Sequence, residues 1–144
     1  MDVQETFDFF ERYREAFNSL DADAVADLWH APSSIADNEA GDSYGRVTMW
    51  ADDAAMRRNM QALCDLYVQN DYGRADFTFE HHVPLGPNHA FVNVRWQLWR
   101  IDGSLLQEFR TAYQLLRTPD GPKVLLATAY EEDVARMKLD ALDH

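Results

Sequence analysis

The sequence predicts an α+β domain in which three N-terminal helices pack on a strongly curved, mixed but mainly antiparallel sheet. Three observations predict it. Apolar residues recur at helical spacing through the first half of the chain, the period changes to two after Gly73, and the alternating segments are joined by turns rich in Gly, Pro and Asp.

The first helix is read over Val3 to Leu20, with Phe9, Phe10, Tyr13, Ala16, Phe17 and Leu20 on one face and Glu5, Glu11, Arg12, Arg14 and Glu15 between them. Asp21 stands at an N-cap position, where its carboxylate accepts from freed backbone N–H groups. The short helix after it buries Ala24, Val25, Leu28 and Trp29, and Pro32 prevents its continuation. A short strand around Ser34–Asp37 leads into a loop of Gly, Asn and Asp that reaches Gly45. The third helix runs roughly from Asp52 to Gln69, with Met56, Met60, Leu63 and Tyr67 on one face, and Gly73 closes the connection after it.

Beyond Gly73 the first long strand alternates Phe77, Phe79, His81 and Val83 with Thr78, Glu80 and His82, which places His81 on the apolar face opposite Val94. It turns through Gly86-Pro87-Asn88 into a strand over Ala90–Ile101. Asp102-Gly103 then predicts a two-residue type I′ hairpin, both of whose central positions need positive φ. That turn pairs Leu98 with Gln107, Trp96 with Phe109, Val94 with Thr111 and Val92 with Tyr113, so the apolar sets share one face. The other face pairs Gln97 with Glu108 and Arg95 with Arg110, the like charges calling for an acid such as Glu108, and also carries Phe91, Trp99 and Leu106. After Pro119-Asp120-Gly121 a last strand sets Val124, Leu126, Thr128 and Tyr130 on one side and Lys123 on the other. The charged end reads as a short helix or frayed tail.

The 144 residues make one domain, with a core over about 5–131 and a charged tail over 132–144. Against 13 Lys+Arg stand 25 Asp+Glu, a formal charge of −12 that repels a phosphate backbone and leaves nucleic-acid binding without a counterion-release term. No stretch approaches the ~20 apolar residues of a membrane span. One cysteine, Cys64, and a start, MDVQETFDFF, without the marks of a signal peptide make the cytoplasm the expected compartment.

FFERYREAFNSLDADAVADLW near the start, AFVNVRWQLWRIDGSLLQEFRTAYQLLRTPDGPKV near the end and the helix between them resemble the NTF2-like (cystatin-like) cone fold, over about residues 5–131. That superfamily contains SnoaL-like polyketide cyclases, scytalone dehydratase and ketosteroid isomerase, and also non-catalytic subunits. The resemblance implies one deep apolar pocket between the helices and the concave face, and a homodimer through the outer sheet face.

By the same resemblance Tyr13 matches the tyrosine that hydrogen-bonds the enolate oxygen in ketosteroid isomerase, and Asp37 falls near its proton-transferring aspartate. The residues also carry plainer readings, a core tyrosine and a solvated Asp37-Asn38-Glu39 loop. The second acid of that oxyanion hole has no counterpart among Gln107, Thr111 and Tyr113. His81, between Phe79 and Val83, is either an acid or base near neutrality or a histidine with satisfied ring nitrogens. His81, His82 and His89 do not make a metal site, since adjacent strand residues point to opposite faces. Trp29, Trp50, Met56, Met60, Phe79, Trp96, Tyr113, Thr128 and Tyr130 supply a candidate wall for a flat hydrophobic ligand, or simply close the core.

Two functions follow as expectations. One is a SnoaL-like isomerase, cyclase or dehydratase that acts on a small hydrophobic carbonyl compound without a cofactor, through Tyr13 and either Asp37 or His81. The other is a non-catalytic dimeric binding or assembly module, like the small subunits of ring-hydroxylating dioxygenases.

Overall fold

A computed structural model describes residues 1–39, 41 and 43–142; the last two residues of the predicted tail, and 40 and 42 of the predicted loop, lie outside the described residues. The chain runs α1 (Val3–Asn18), α2 (Ala22–Ala26), β1 (Trp29–Asp37), β2 (Arg46–Trp50), α3 (Asp53–Gln69), β3 (Tyr72–Leu85), β4 (His89–Arg100), β5 (Leu105–Thr118), β6 (Gly121–Ala129) and α4 (Val134–Leu142). The strands form one curved sheet in the order β2-β1-β6-β5-β4-β3, antiparallel throughout except for the parallel pair β1 and β6. This is the α+β plan expected, with a fourth helix added at the C-terminal end.

Aspartates start all four helices, each accepting a backbone N–H in the first turn: Asp2 from Glu5 at 2.8 Å, Asp21 from Ala24 at 3.1 Å, Asp52 from Ala55 at 2.8 Å and Asp133 from Arg136 at 2.8 Å. The apolar stripe of α1, which includes Phe9, Phe10, Tyr13 and Phe17, is buried against the inner sheet face, where Val92, Val94, Trp96, Leu98, Phe109 and Tyr113 are buried in turn. Burial of these two faces against each other is the main driving force for this architecture.

Several sequence expectations are corrected here. The second helix ends at Ala26, and Trp29 opens β1 rather than closing the helix, so the strand runs back through Pro32. Arg46–Trp50, between the expected loop and the third helix, pairs with β1 as β2. Gly73 does not close the connection but lies inside β3; the turn is made at Asn70 and Asp71, the latter at φ 60°. A Cβ on Gly73 would stand 2.9 Å from the Arg100 carbonyl, so the missing side chain is what lets β3 and β4 approach there.

The Asp102-Gly103 turn gives the expected register by an unexpected route. Only Gly103 has positive φ, at 88°, and the loop holds an extra residue, Gly103 N–H donating to Arg100 O at 2.9 Å and Arg100 N–H to Ser104 O at 2.8 Å. A bulge between Leu98 and Trp99, opposite Leu105–Gln107, offsets the extra residue. Leu98 therefore still faces Gln107, Trp96 faces Phe109, Val94 faces Thr111 and Val92 faces Tyr113.

Two further bulges reverse parity where the sequence suggests unbroken alternation. In β3 the register shifts between Phe79 and His81, so Phe79 faces Val94 but His81 faces Asn93 and His82 faces Val92. In β6 it shifts between Val124 and Leu126, so Ala127 rather than Leu126 or Thr128 comes opposite buried Tyr113. On the outer face Glu108 bonds Arg95 and Gln97, while Arg110 is neutralised by Glu80, the extra residue of the β3 bulge, at 2.7 Å and by Glu131 at 3.0 Å.

Candidate functional site

A cavity of about 800 Å³ lies between the inner sheet face and α1, α3 and α4. Its volume suits a compact organic molecule. The helical stripe of α1 turns Tyr13 toward it, the first residue of β1 supplies Trp29, and facing positions of β4 and β5 supply Trp96 and Tyr113.

These four aromatic groups form a cluster of donors at the inner end. Trp96 Nε1 donates to Tyr113 Oη at 2.9 Å, which leaves the Tyr113 proton free to donate onward. The Tyr13 ring centroid lies 5.9 Å from that of Trp96 and 6.0 Å from that of Tyr113. Burial raises the pKa of the Tyr13 hydroxyl; the Trp29 indole opposes that shift and the charge of Glu132 adds to it. Tyr113 is raised in the same sense, by burial first and by Tyr13 second. Both phenols hold their protons at neutral pH. Trp29 Nε1 is buried and has no hydrogen-bond partner among the described residues. A buried N–H without an acceptor costs roughly 1–3 kcal/mol, which an acceptor atom on a ligand would recover.

The second polar centre was not foreseen. Glu132, which follows β6 and opens the charged tail, lines the same cavity, and its Oε2 accepts from Tyr67 Oη at 2.7 Å. Burial pushes the Glu132 carboxyl up to about 7, opposed by the Tyr67 hydrogen bond and reinforced by the charge of Glu39. A carboxyl that titrates near neutrality is suited to take and return a proton. Tyr67 is held in turn: its ring stacks on Tyr72 at 5.1 Å and 13°, and Tyr72 Oη donates to Asn18 Oδ1 at 2.9 Å. The only signals in the sequence were Tyr67 on the apolar face of its helix and an acidic run directly after the last strand.

Of the predicted catalytic residues, Tyr13 is in place and the other two are not free for the part. Asp37 lies at the cavity mouth but is bound at both carboxylate oxygens by Arg46, at 3.1 and 2.8 Å. His81 is turned outward by the β3 bulge and is exposed; it is His82 that turns inward, to within 3.1 Å of Thr6 Oγ1. Of the predicted wall, Trp29, Trp50, Met60, Trp96 and Tyr113 line the cavity. Tyr130 borders its mouth, though its hydroxyl donates to Asn93 Oδ1 at 3.0 Å on the outer face. Met56 and Phe79 pack elsewhere, Phe79 against Phe7 and Phe10, and Thr128 faces outward because of the β6 bulge. Among the described residues no group of three His, Cys, Asp or Glu is arranged to hold a metal ion, and no helix is long and apolar enough to cross a membrane.

The model of a family described as NTF2-like protein (DUF6841) matches residues 4–132. A search of curated proteins gives no match. Among solved structures, an NTF2-like protein of unknown function from Shewanella oneidensis superposes with a TM-score of 0.69 at 16% identity, covering 91% of this chain and 100% of the other. A ketosteroid isomerase-like protein from Erwinia carotovora atroseptica superposes with a TM-score of 0.61 at 12% identity, over 87% and 92% of the two chains. A candidate dehydratase of the NTF2-like family from Streptomyces avermitilis gives 0.63 at 16% identity, over 92% and 96%. At these identities the likeness is one of fold.

Proposed function

Since the chain belongs to the NTF2-like family DUF6841, a fold that hosts many activities, we propose its function from the cavity: cofactor-independent proton transfer on a small, mainly apolar carbonyl compound. One observation carries this reading. The Trp29 N–H, buried without a hydrogen-bond partner among the described residues, and the Tyr13 hydroxyl line the same cavity as the half-buried carboxyl of Glu132. The donors would hold the carbonyl oxygen and stabilise charge that develops on it. The Glu132 carboxylate would take the proton from the adjacent carbon, the C–H electron pair forming the enolate double bond, and return it to the same or a neighbouring atom. The same enolate serves isomerisation when it is reprotonated at another carbon, dehydration when it expels a β-hydroxyl that takes the proton and leaves as water, and cyclisation when its carbon attacks a second carbonyl of the molecule, whose oxygen takes the proton. The ketosteroid isomerase-like and dehydratase-like neighbours agree with this class of chemistry. Glu132 takes the part expected of Asp37 or His81, because Asp37 is spent on Arg46 and His81 is outside.

Planar phenols of graded acidity mimic the enolate and test this directly. Calorimetry and phenol absorbance should show a bound, partly ionised phenol, and Tyr13→Phe should weaken binding about tenfold, the worth of one buried hydrogen bond. If no phenol binds, or if Tyr13→Phe binds as well as the wild type, the assignment fails.

A second reading, a dimeric binding or assembly module, is favoured by Val83, Leu85, Phe91 and Leu105, which are exposed on strands β3 to β5. Here the outer face would pair two copies of the chain. Sedimentation at micromolar concentration should then give a dimer that Phe91→Glu dissociates; a monomeric wild type rules it out. For the compartment we propose the cytoplasm, on the single, buried cysteine.

A further inference from the structure

The Glu132 carboxyl has one hydrogen-bond partner, the Tyr67 hydroxyl at 2.7 Å, and no Lys, Arg or His among the described residues pairs with it. The bases nearest the cavity mouth are committed elsewhere. Arg46 holds Asp37 and Glu39 at 2.8 and 2.6 Å, Arg110 holds Glu80 and Glu131, and Lys138 lies 3.7 Å from Glu39. The titratable groups facing Glu132 are Tyr67 of α3, Tyr13 of α1, Tyr113 of β5 and Glu39 after β1, none of which brings a positive charge. An ionised carboxylate has about four acceptor sites, and one is in use.

Beside this carboxyl the wall is aromatic: Tyr67, which bonds it, stacks on Tyr72, and Trp50 and Trp96 line the same cavity. Ring faces attract a cation and do nothing for a carboxylate or phosphate. The lining carries Asp37, Glu39, Glu131, Glu132 and Asp133 against Arg46 and Lys138, an acidic excess that the −12 of the whole chain reinforces, so the field favours cations over anions.

We propose that the ligand of this cavity carries a cationic nitrogen, a protonated amine or quaternary ammonium, seated between the Glu132 carboxylate and the aromatic wall. The inference rests on the carbonyl reading above and narrows its substrate class to a compact ketone with the cationic nitrogen on the carbon next to the carbonyl. The two ends then match the two polar centres, the oxygen at Trp29 and Tyr13 and the nitrogen at Glu132. The cation also raises the acidity of the proton on the carbon between them, which lies within reach of the same carboxylate. Both centres line one cavity of about 800 Å³, so a single compact molecule can engage them together.

The test compares phenacyltrimethylammonium, whose charge does not titrate, with neopentyl phenyl ketone, its neutral isostere, by calorimetry at neutral pH in two buffers of different ionisation heat. The cation should bind at least about tenfold more tightly and release protons, because it selects the ionised carboxylate. Glu132→Gln, which keeps the shape and the Tyr67 hydrogen bond, should erase both the preference and the proton release. A neutral ketone that binds as well as the cation, or a preference that survives in Glu132→Gln, overturns the inference. If the neutral ketone binds and Tyr13→Phe weakens it, the carbonyl reading stands without the cation; if neither compound binds, both fall.

Discussion

Glu132→Gln should stabilise the protein by roughly 3 kcal/mol above neutral pH and leave it nearly unchanged at about pH 4 or below. The sign follows from the direction of the shift. The Glu132 carboxyl is raised from 4.5 to about 7 in the folded chain, so between those values the folded state keeps a proton that the unfolded state has lost. Stability therefore falls as pH rises through that window and is level above it. Burial of the charge is the main cause and Glu39 adds to it, while the Tyr67 hydroxyl offsets part. Glu5 shifts the other way, held low by Arg117, and Glu108 by Gln97 and Arg95. Their contributions are lost at acid pH in wild type and variant alike, so the difference between the two proteins isolates Glu132. Urea unfolding at four or five pH values between about 4 and 8 checks it; a difference that does not change with pH would mean that the carboxyl is not buried as described. The same variant should abolish proton transfer, giving a more stable and inactive protein, the trade expected where an active group is held in an unfavourable setting.

Phe10→Ala should destabilise the chain by about 3–5 kcal/mol, a third or more of the total for many domains. Phe10 is fully buried, and its ring lies 4.9 Å from Tyr113, 5.7 Å from Phe79, 5.8 Å from Tyr13 and 6.3 Å from Trp96, centroid to centroid. It is the junction between α1 and the inner sheet face. Alanine removes the apolar area and leaves a void that these large rings cannot all collapse into. Because Tyr13 and Tyr113 lean on it, phenol binding should weaken even under conditions where the variant stays folded. Phe10→Leu, which keeps most of the volume, should lose less than half as much. Chemical denaturation decides the matter, and a loss under about 1 kcal/mol for alanine would place the core junction elsewhere.

The extent to which the site was legible varies residue by residue. Tyr13 was legible because a helical period places it on the buried stripe of α1 whatever else the fold does. Trp96 and Tyr113 were legible because the β4–β5 register follows from hydrophobic alternation, and the sheet kept it even though the turn itself has a different form. His81 and Thr128 were misplaced for one shared reason. A single bulge reverses every later side chain in a strand, and neither β3 nor β6 marks its bulge with a glycine at the shift. Asp37 was found at the cavity, but its pairing with Arg46 depends on β2, a strand too short and too exposed to announce itself.

The sequence by itself determined the class of fold and most of its helices and long strands, because periodicity, capping and turn chemistry are local and repeat along the chain. Only the tertiary structure decided what the cavity can do. Glu132 sits in an acidic run that looks solvated, and becomes a candidate base only because Tyr67, 65 positions earlier, meets it and partial burial at the cavity wall disfavours its charge. The Trp29 N–H becomes a candidate donor only because it is buried with no hydrogen-bond partner among the described residues. Both properties belong to neighbourhoods assembled from distant segments, and a carboxyl's proton affinity or an N–H group's lack of a partner is set by that neighbourhood rather than by the residue's own place in the chain.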